Sequence, residues 1–147
     1  MIASGFSLTK VQAKDITSER GSAPSDTLAR FKAQISSTKH PLGPIDSWLG
    51  ESIVHAEDIR RPLGIEHTYP SDAVTRVADF YKGSNLIIGA KRRISGLHLT
   101  ATDTDWTSGD GPEVSGPILS LVLAMTGRKA SIADLGGDGA AMLTSRP

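Results

Sequence analysis

Glu51 and His55 stand four residues apart in a segment, Ile45 to Arg61, whose apolar residues recur at helical spacing. On a helix their side chains lie about one turn apart on one face and can reach a common point. A carboxylate and an imidazole so placed are common ligands of a divalent metal, and in helix bundles facing helices complete such sites. The same spacing also occurs on solvated helices. Taking ~100° per residue, Ile45, Trp48, Leu49, Ala56 and Ile59 form an apolar arc, with Glu51, His55 and Asp58 along its border. That placement puts the pair at the edge of a bundle core.

Other candidate residues have plainer readings. The run Asp58-Ile59-Arg60-Arg61 reads as a solvated helix end whose cations complement the C-terminal dipole. His40, His67 and His98 read as loop or strand-surface residues. The glycines of Gly109-Asp110-Gly111-Pro112 and Gly136-Gly137-Asp138-Gly139 lack the flanking residues of a phosphate loop and read as turns.

The elements that must carry these residues follow from periodicity and punctuation. Leu8, Val11 and Ile16 offer a weak apolar stripe ending at Gly21, and Ser25-Asp26-Thr27 is an N-cap cluster for a helix through Leu28, Phe31 and Ile35. The loop Lys39 to Gly43, with Pro41, closes it. A third helix starts near Pro44 and runs to about Arg61, stopped by Pro62 and Gly64. Ser71 caps a fourth through Val74, Val77, Phe80 and Tyr81, weakened at Gly83 and resumed through Leu86 to Lys91. After Gly96 the pattern changes. Residues 97–102 alternate as a half-buried strand does, with further strands near Trp106 and Val114. Pro117 opens a helix through Ile118, Leu121, Val122 and Met125, and a short segment, Ser131 to Leu135, precedes a last helix after Gly139. The expected division is a helical part, 1–93, and a small α+β part, 94–147.

Composition sets the outer bounds. The chain has 147 residues with 16 Lys+Arg against 16 Asp+Glu, so bulk charge draws it neither to nucleic acid nor to an anionic membrane. The charge is uneven, with net −1 over 1–59, +4 over 60–93 and −3 over 94–147. Arg60, Arg61, Lys91, Arg92 and Arg93 supply the basic middle, but no recognition motif or aromatic platform accompanies them. With no cysteine there is neither thiolate ligand nor cysteine nucleophile, so a metal must rest on His, Asp or Glu, and thiol chemistry must import its thiol. No apolar run approaches a bilayer span and Met1 to Lys10 has no signal-peptide pattern, which points to a cytoplasmic protein.

Two blocks of sequence carry a resemblance. Leu49-Gly50-Glu51-Ser52-Ile53-Val54-His55-Ala56-Glu57-Asp58-Ile59-Arg60-Arg61-Pro62-Leu63-Gly64 resembles the signature of the mycothiol-dependent maleylpyruvate isomerase family, a branch of the DinB-like metal-binding bundles. Downstream, Gly96-Leu97-His98-Leu99-Thr100-Ala101-Thr102-Asp103, Asp105-Trp106, Gly109-Asp110-Gly111-Pro112-Glu113-Val114, Gly116-Pro117, Thr126-Gly127-Arg128 and Gly137-Asp138-Gly139 follow in the same order as in that family. The resemblance spans roughly residues 25 to 145.

It implies an incomplete DinB-like helical bundle followed by a small sterol-carrier-like α+β domain. It also implies a divalent metal, zinc in such proteins, held by one His of an early helix and by the pair matching Glu51 and His55. The implied chemistry is thiol-assisted isomerisation or transfer: the thiol of mycothiol, acidified on the metal, adds to a substrate double bond, the bond rotates, and the thiol leaves. Arg128 would clamp a substrate carboxylate bidentately. Family members extend further at the N-terminus, where the first helix and its His lie, so the resemblance implies an N-terminally truncated member. A bundle short of a helix would expose an apolar groove that favours a homo-oligomer. The competing reading is a non-catalytic remnant that binds a small ligand or a partner.

Overall fold

The computed structural model describes residues 8–40, 43–85 and 88–146, and for residues 8–12 and 15 the backbone alone. The fold is α+β. It forms two compact units, Met1–Pro41 and Leu42–Pro147. The side chains of Leu8 and Val11, and residues Pro41 and Leu86, lie outside the described residues.

The first unit holds α1 (Leu8–Glu19) and α2 (Pro24–Ala33). Helix α2 starts a residue ahead of the expected cap cluster, because Asp26 works from inside the first turn: its carboxylate accepts the Ala23 N–H at 3.1 Å and the Ser22 hydroxyl at 2.6 Å. The Gly21 N–H donates to Thr27 Oγ1 at 3.0 Å, and Arg30 donates to the Ser18 carbonyl at 2.9 Å. The apolar side chains find no core here. Ile16, Leu28, Phe31 and Ile35 are all exposed, and no residue of α2 is buried.

The second unit comprises α3 (Ile45–Arg60), a 3-10 turn (Arg61–Leu63), α4 (Ser71–Gly83), α5 (Ala90–Arg93), β1 (His98–Ala101), β2 (Thr107–Ser108), β3 (Glu113–Gly116), α6 (Ile118–Met125), a second 3-10 segment (Lys129–Asp134) and α7 (Ala140–Ser145). The three strands form one sheet in the order β2-β1-β3, with β1 antiparallel to β2 and parallel to β3. Ser71 begins α4 rather than capping it; Pro70 occupies the cap position, with no side-chain hydrogen bond.

Helix α6 is apolar on every side, and such a helix must be surrounded. Every one of its residues but Leu119 is buried. Val74, Val77, Ala78 and Tyr81 of α4, Leu99 and Ala101 of β1, and Val114 of β3 share its core with Ile53 and Val54 of α3. Elements on both sides of residue 94 therefore enclose the same helix. The composition change there marks the passage from helices to sheet, and the expected division into 1–93 and 94–147 does not coincide with the compact units.

Helix α3 faces the core in an unexpected way. Its buried positions are Gly50, Ile53, Val54 and Glu57, whereas Ile45 and Ile59 of the expected core arc are exposed. Gly50 makes this possible. Tyr81 lies against it so closely that a Cβ there would meet the hydroxyl and sit 2.8 Å from the ring carbon Cζ. An alanine gains about 1 kcal/mol of helix propensity, but overpacking costs about 1–3 kcal/mol. Gly50→Ala is expected to lower stability by up to about 2 kcal/mol in urea denaturation. Because the hydroxyl is the nearest atom, the loss should shrink in a Tyr81→Phe background; an equal loss in both backgrounds would remove this explanation.

Candidate functional site

Glu51, His55 and Asp58 lie on α3 within the second unit, and the fold brings Arg128 to them from the segment after α6. The imidazole of His55 is held from both ends: Nε2 is 3.0 Å from Glu51 Oε2 and Nδ1 is 2.9 Å from Asp58 Oδ2. Asp58 is itself held by Arg128, whose Nε donates to Oδ1 at 3.0 Å and Nη2 to Oδ2 at 2.8 Å. Arg128 Nη1 donates to the Thr126 carbonyl at 3.1 Å. The result is a chain of contacts, Glu51 to His55 to Asp58 to Arg128, running from the surface of α3 into the C-terminal segment. The His55 side chain is 62% exposed and that of Glu51 44%, so the outer end is open to a ligand.

The 3.0 Å separation between Nε2 and a carboxylate oxygen has two chemical readings. Either Nε2 carries a proton and donates it, or its lone pair and the carboxylate share a cation. If Asp58 accepts the Nδ1 proton, the lone pair of the neutral ring lies on Nε2, facing Glu51. Zn–N and Zn–O bonds of about 2.0–2.2 Å put tetrahedral neighbours roughly 3.3 Å apart, so the pair would open by a few tenths of an ångström to share a metal. A carboxylate behind a ligating histidine is the usual outer partner. Among the described residues no group of three or more His, Asp or Glu side chains is placed to hold a metal. Asp58 faces the opposite nitrogen of the ring, so Glu51 and His55 are the converging donors.

Arg128 makes the bidentate contact expected of it, but with a carboxylate of its own chain. A substrate carboxylate would have to displace Asp58. Nearby, burial and then the charge of Glu51 push the Tyr81 hydroxyl up to about 12, against the opposing effect of Arg128. The phenol under Gly50 therefore keeps its proton at neutral pH.

A second cluster escaped sequence reasoning because its members are far apart in the chain. Glu57, expected on no site, is buried and accepts from Tyr69 Oη at 2.9 Å and from Arg61 Nε at 3.3 Å. Arg61 also donates to Asp134 at 2.7 Å and to Ser120 at 3.0 Å, while Arg60 donates to the Tyr69 hydroxyl and lies over its ring. Arg60 and Arg61 thus tie the helix end through their side chains, although Asp58, Ile59 and Arg61 remain exposed there as expected. Arg61 also lines a cavity of about 810 Å³ beside Glu57, Pro62, Ile65, His67 and Leu119. His67 packs edge-on against Tyr69, and His98 Nδ1 is 2.7 Å from the Gly109 carbonyl. His40 is exposed in the first unit.

The hydrogen bonds of Arg128, opposed by partial burial and aided by that of His55, hold the Asp58 carboxyl down to about 2 from 3.8. Because the folded chain favours the ionised form, the stabilisation is whole above the ordinary carboxylate range, fades as pH falls from about 4 to about 2, and is gone below. In Arg128→Met, the Asp58 midpoint followed by carboxyl carbon NMR should climb back toward 3.8, and acid unfolding should depend less steeply on pH between about 4 and 2. An unmoved midpoint would show that Arg128 is not the cause. Comparison of the chain with protein-family models, with curated proteins and with solved structures finds no match.

Proposed function

We propose that the chain is a member of the mycothiol-dependent maleylpyruvate isomerase family, a metal-dependent and mycothiol-dependent isomerase or transferase in which Glu51 and His55 hold a divalent metal, zinc as the resemblance implies. The observation that carries this reading is the exposed His55 Nε2 to Glu51 Oε2 pair, 3.0 Å apart, with Asp58 at the other nitrogen. The resemblance of the Leu49 to Gly64 signature supports it. On this reading α3 and α4 belong to a DinB-like bundle and the segment after residue 94 to a sterol-carrier-like domain.

The chain's own residues prepare the site. Asp58 accepts the Nδ1 proton and fixes the ring tautomer that leaves Nε2 free to ligate. Arg128 keeps Asp58 ionised and oriented, and so acts on the site through another residue. A bound metal would lower the pKa of a ligated thiol and so supply a nucleophile at neutral pH, and in a cysteine-free chain that thiol is mycothiol's. The substrate would then be a small molecule with an activated double bond.

The second reading, a non-catalytic protein that binds a small ligand or partner, draws on the cavity of about 810 Å³ beside Glu57 and Arg61. Zinc titration by calorimetry separates the two. Saturable binding that disappears in Glu51→Ala/His55→Ala is expected. Asp58→Asn, which loses the anionic partner of Nδ1, should weaken binding about 10–100-fold. Saturable binding unchanged in the double variant, or no binding at all, would sink the metal reading and favour the second.

A further inference from the structure

We infer that the adjoining cavities around Arg61 form a binding site for a small uncharged carboxamide or lactam: its carbonyl oxygen accepts from Arg61, its N–H donates to Asp134, and its apolar body lies over Leu119. The inference is independent of the metal reading. It rests on the second reading, that of a small-ligand protein, and deepens it by naming the chemistry of the ligand.

The first support is the shape of the site. The cavity of about 810 Å³ beside Glu57 adjoins another of about 340 Å³, and Arg61, His67, Thr68 and Leu119 line both. A volume of that order holds a small organic molecule. Leu119 supplies an apolar floor: every other residue of α6 is buried, and Leu119 is left partly open. Pro62 and Ile65 stand on the wall of the larger cavity, and Ile65 is 52% exposed. An apolar molecule settling there takes out of water the part of α6 that the core leaves uncovered.

The polar groups are held ready. Glu57, Ser120 and Asp134 fix the Arg61 guanidinium from three directions, and Glu57 and Ser120 are only 6% and 2% exposed. These bonds use three of the five N–H groups of a guanidinium and leave two with no partner among the described residues. Asp134 is likewise half used. Its Oδ2 accepts from Arg61 at 2.7 Å and from Ser120 at 2.7 Å, whereas Oδ1 accepts from none of the described residues. A donor and an acceptor thus stand side by side, fixed by neighbours that a ligand need not displace. The group that answers such a pair carries a carbonyl oxygen and an N–H on adjacent atoms, as a carboxamide or lactam does.

Charge selects among head groups. Glu57 and Glu66 line the larger cavity against Arg61, and Asp103 and Asp134 line the smaller against the same cation. Arg60, the other cation beside Glu57, is turned over the Tyr69 ring. A carboxylate brought to Arg61 therefore meets an excess of negative charge. An ammonium finds carboxylates but leaves the spare N–H groups of Arg61 facing a like charge. An uncharged amide meets neither penalty.

The test is a titration of the isotope-labelled 147-residue chain with benzamide, benzoate and benzylamine, three probes that share one apolar body, followed by NMR at the Arg61 Nε–H and the Leu119 methyls. Benzamide should shift both saturably, in the millimolar range that suits so small a molecule, with benzoate and benzylamine at least about tenfold weaker. Leu119→Ala, at a partly exposed position and with the fold checked by circular dichroism, should weaken benzamide about tenfold. Asp134→Asn should remove most of the bias against benzoate. Benzoate or benzylamine binding as tightly as benzamide would overturn the uncharged class and leave the small-ligand reading standing. Benzamide binding that shifts neither Arg61 nor Leu119 would overturn the site. No saturable shift from any of the three would overturn this inference and the small-ligand reading together, and the zinc titration that tests the metal reading is untouched by either result.

Discussion

Everything in the second unit is arranged around the need to surround α6. Ile118 to Met125 has no polar face to offer to water, and apolar burial of this kind supplies most of the driving force for folding. One face is taken by α4, another by the sheet, and the remainder by the second 3-10 segment and α5. Helix α3 comes next, packed against α4 through Ile53 and Val54. The candidate site inherits its position from this order. It lies on the outermost helix, on the side that the core does not claim, and is reached from behind by Arg128 just after α6 ends.

Two polar ties hold α3 in that position. Arg128 grips Asp58, and Arg61 joins Glu57 to Ser120 and Asp134. Both ties run from the C-terminal half of α3 to the region around α6. The buried Glu57 is compensated by two arginines and a phenol, as a buried carboxylate must be. Its network ties the helix end to the Tyr69 and Asp134 segments where the chain turns through Pro62 and Gly64. The orientation of His55 thus depends on Asp58 and, behind it, on Arg128.

Much of this was legible in the sequence, and the failures are instructive. The helices around Trp48, Val77 and Leu121 and the strand at Leu99 follow from periodicity, because each buries a face whose spacing is local. The Glu51–His55 contact is equally local, being one turn of one helix. What local spacing cannot show is which face a helix turns inward. The arc of Ile45, Trp48, Leu49, Ala56 and Ile59 has the better apolar pattern, yet Gly50 lets Tyr81 approach and the helix is rotated so that Gly50, Ile53, Val54 and Glu57 are buried, Leu49 packs at the margin and Ile45 and Ile59 are left exposed. Nor could it show that Arg128 would find Asp58, or that Arg61 would find Ser120 and Asp134, since those pairs are made by the packing of α6. The break near residue 94 is real in composition but does not separate compact units, because the core draws residues from both sides of it.

The sheet adds one further consequence. Ser115 and Gly136 exchange two backbone hydrogen bonds, of 2.9 and 2.7 Å, along the open side of β3. At the other margin β2 is two residues long. One margin is bridged and the other is brief, which disfavours strand-by-strand addition of one chain to another through this sheet. The sheet is thereby protected at both margins against cross-strand polymerisation.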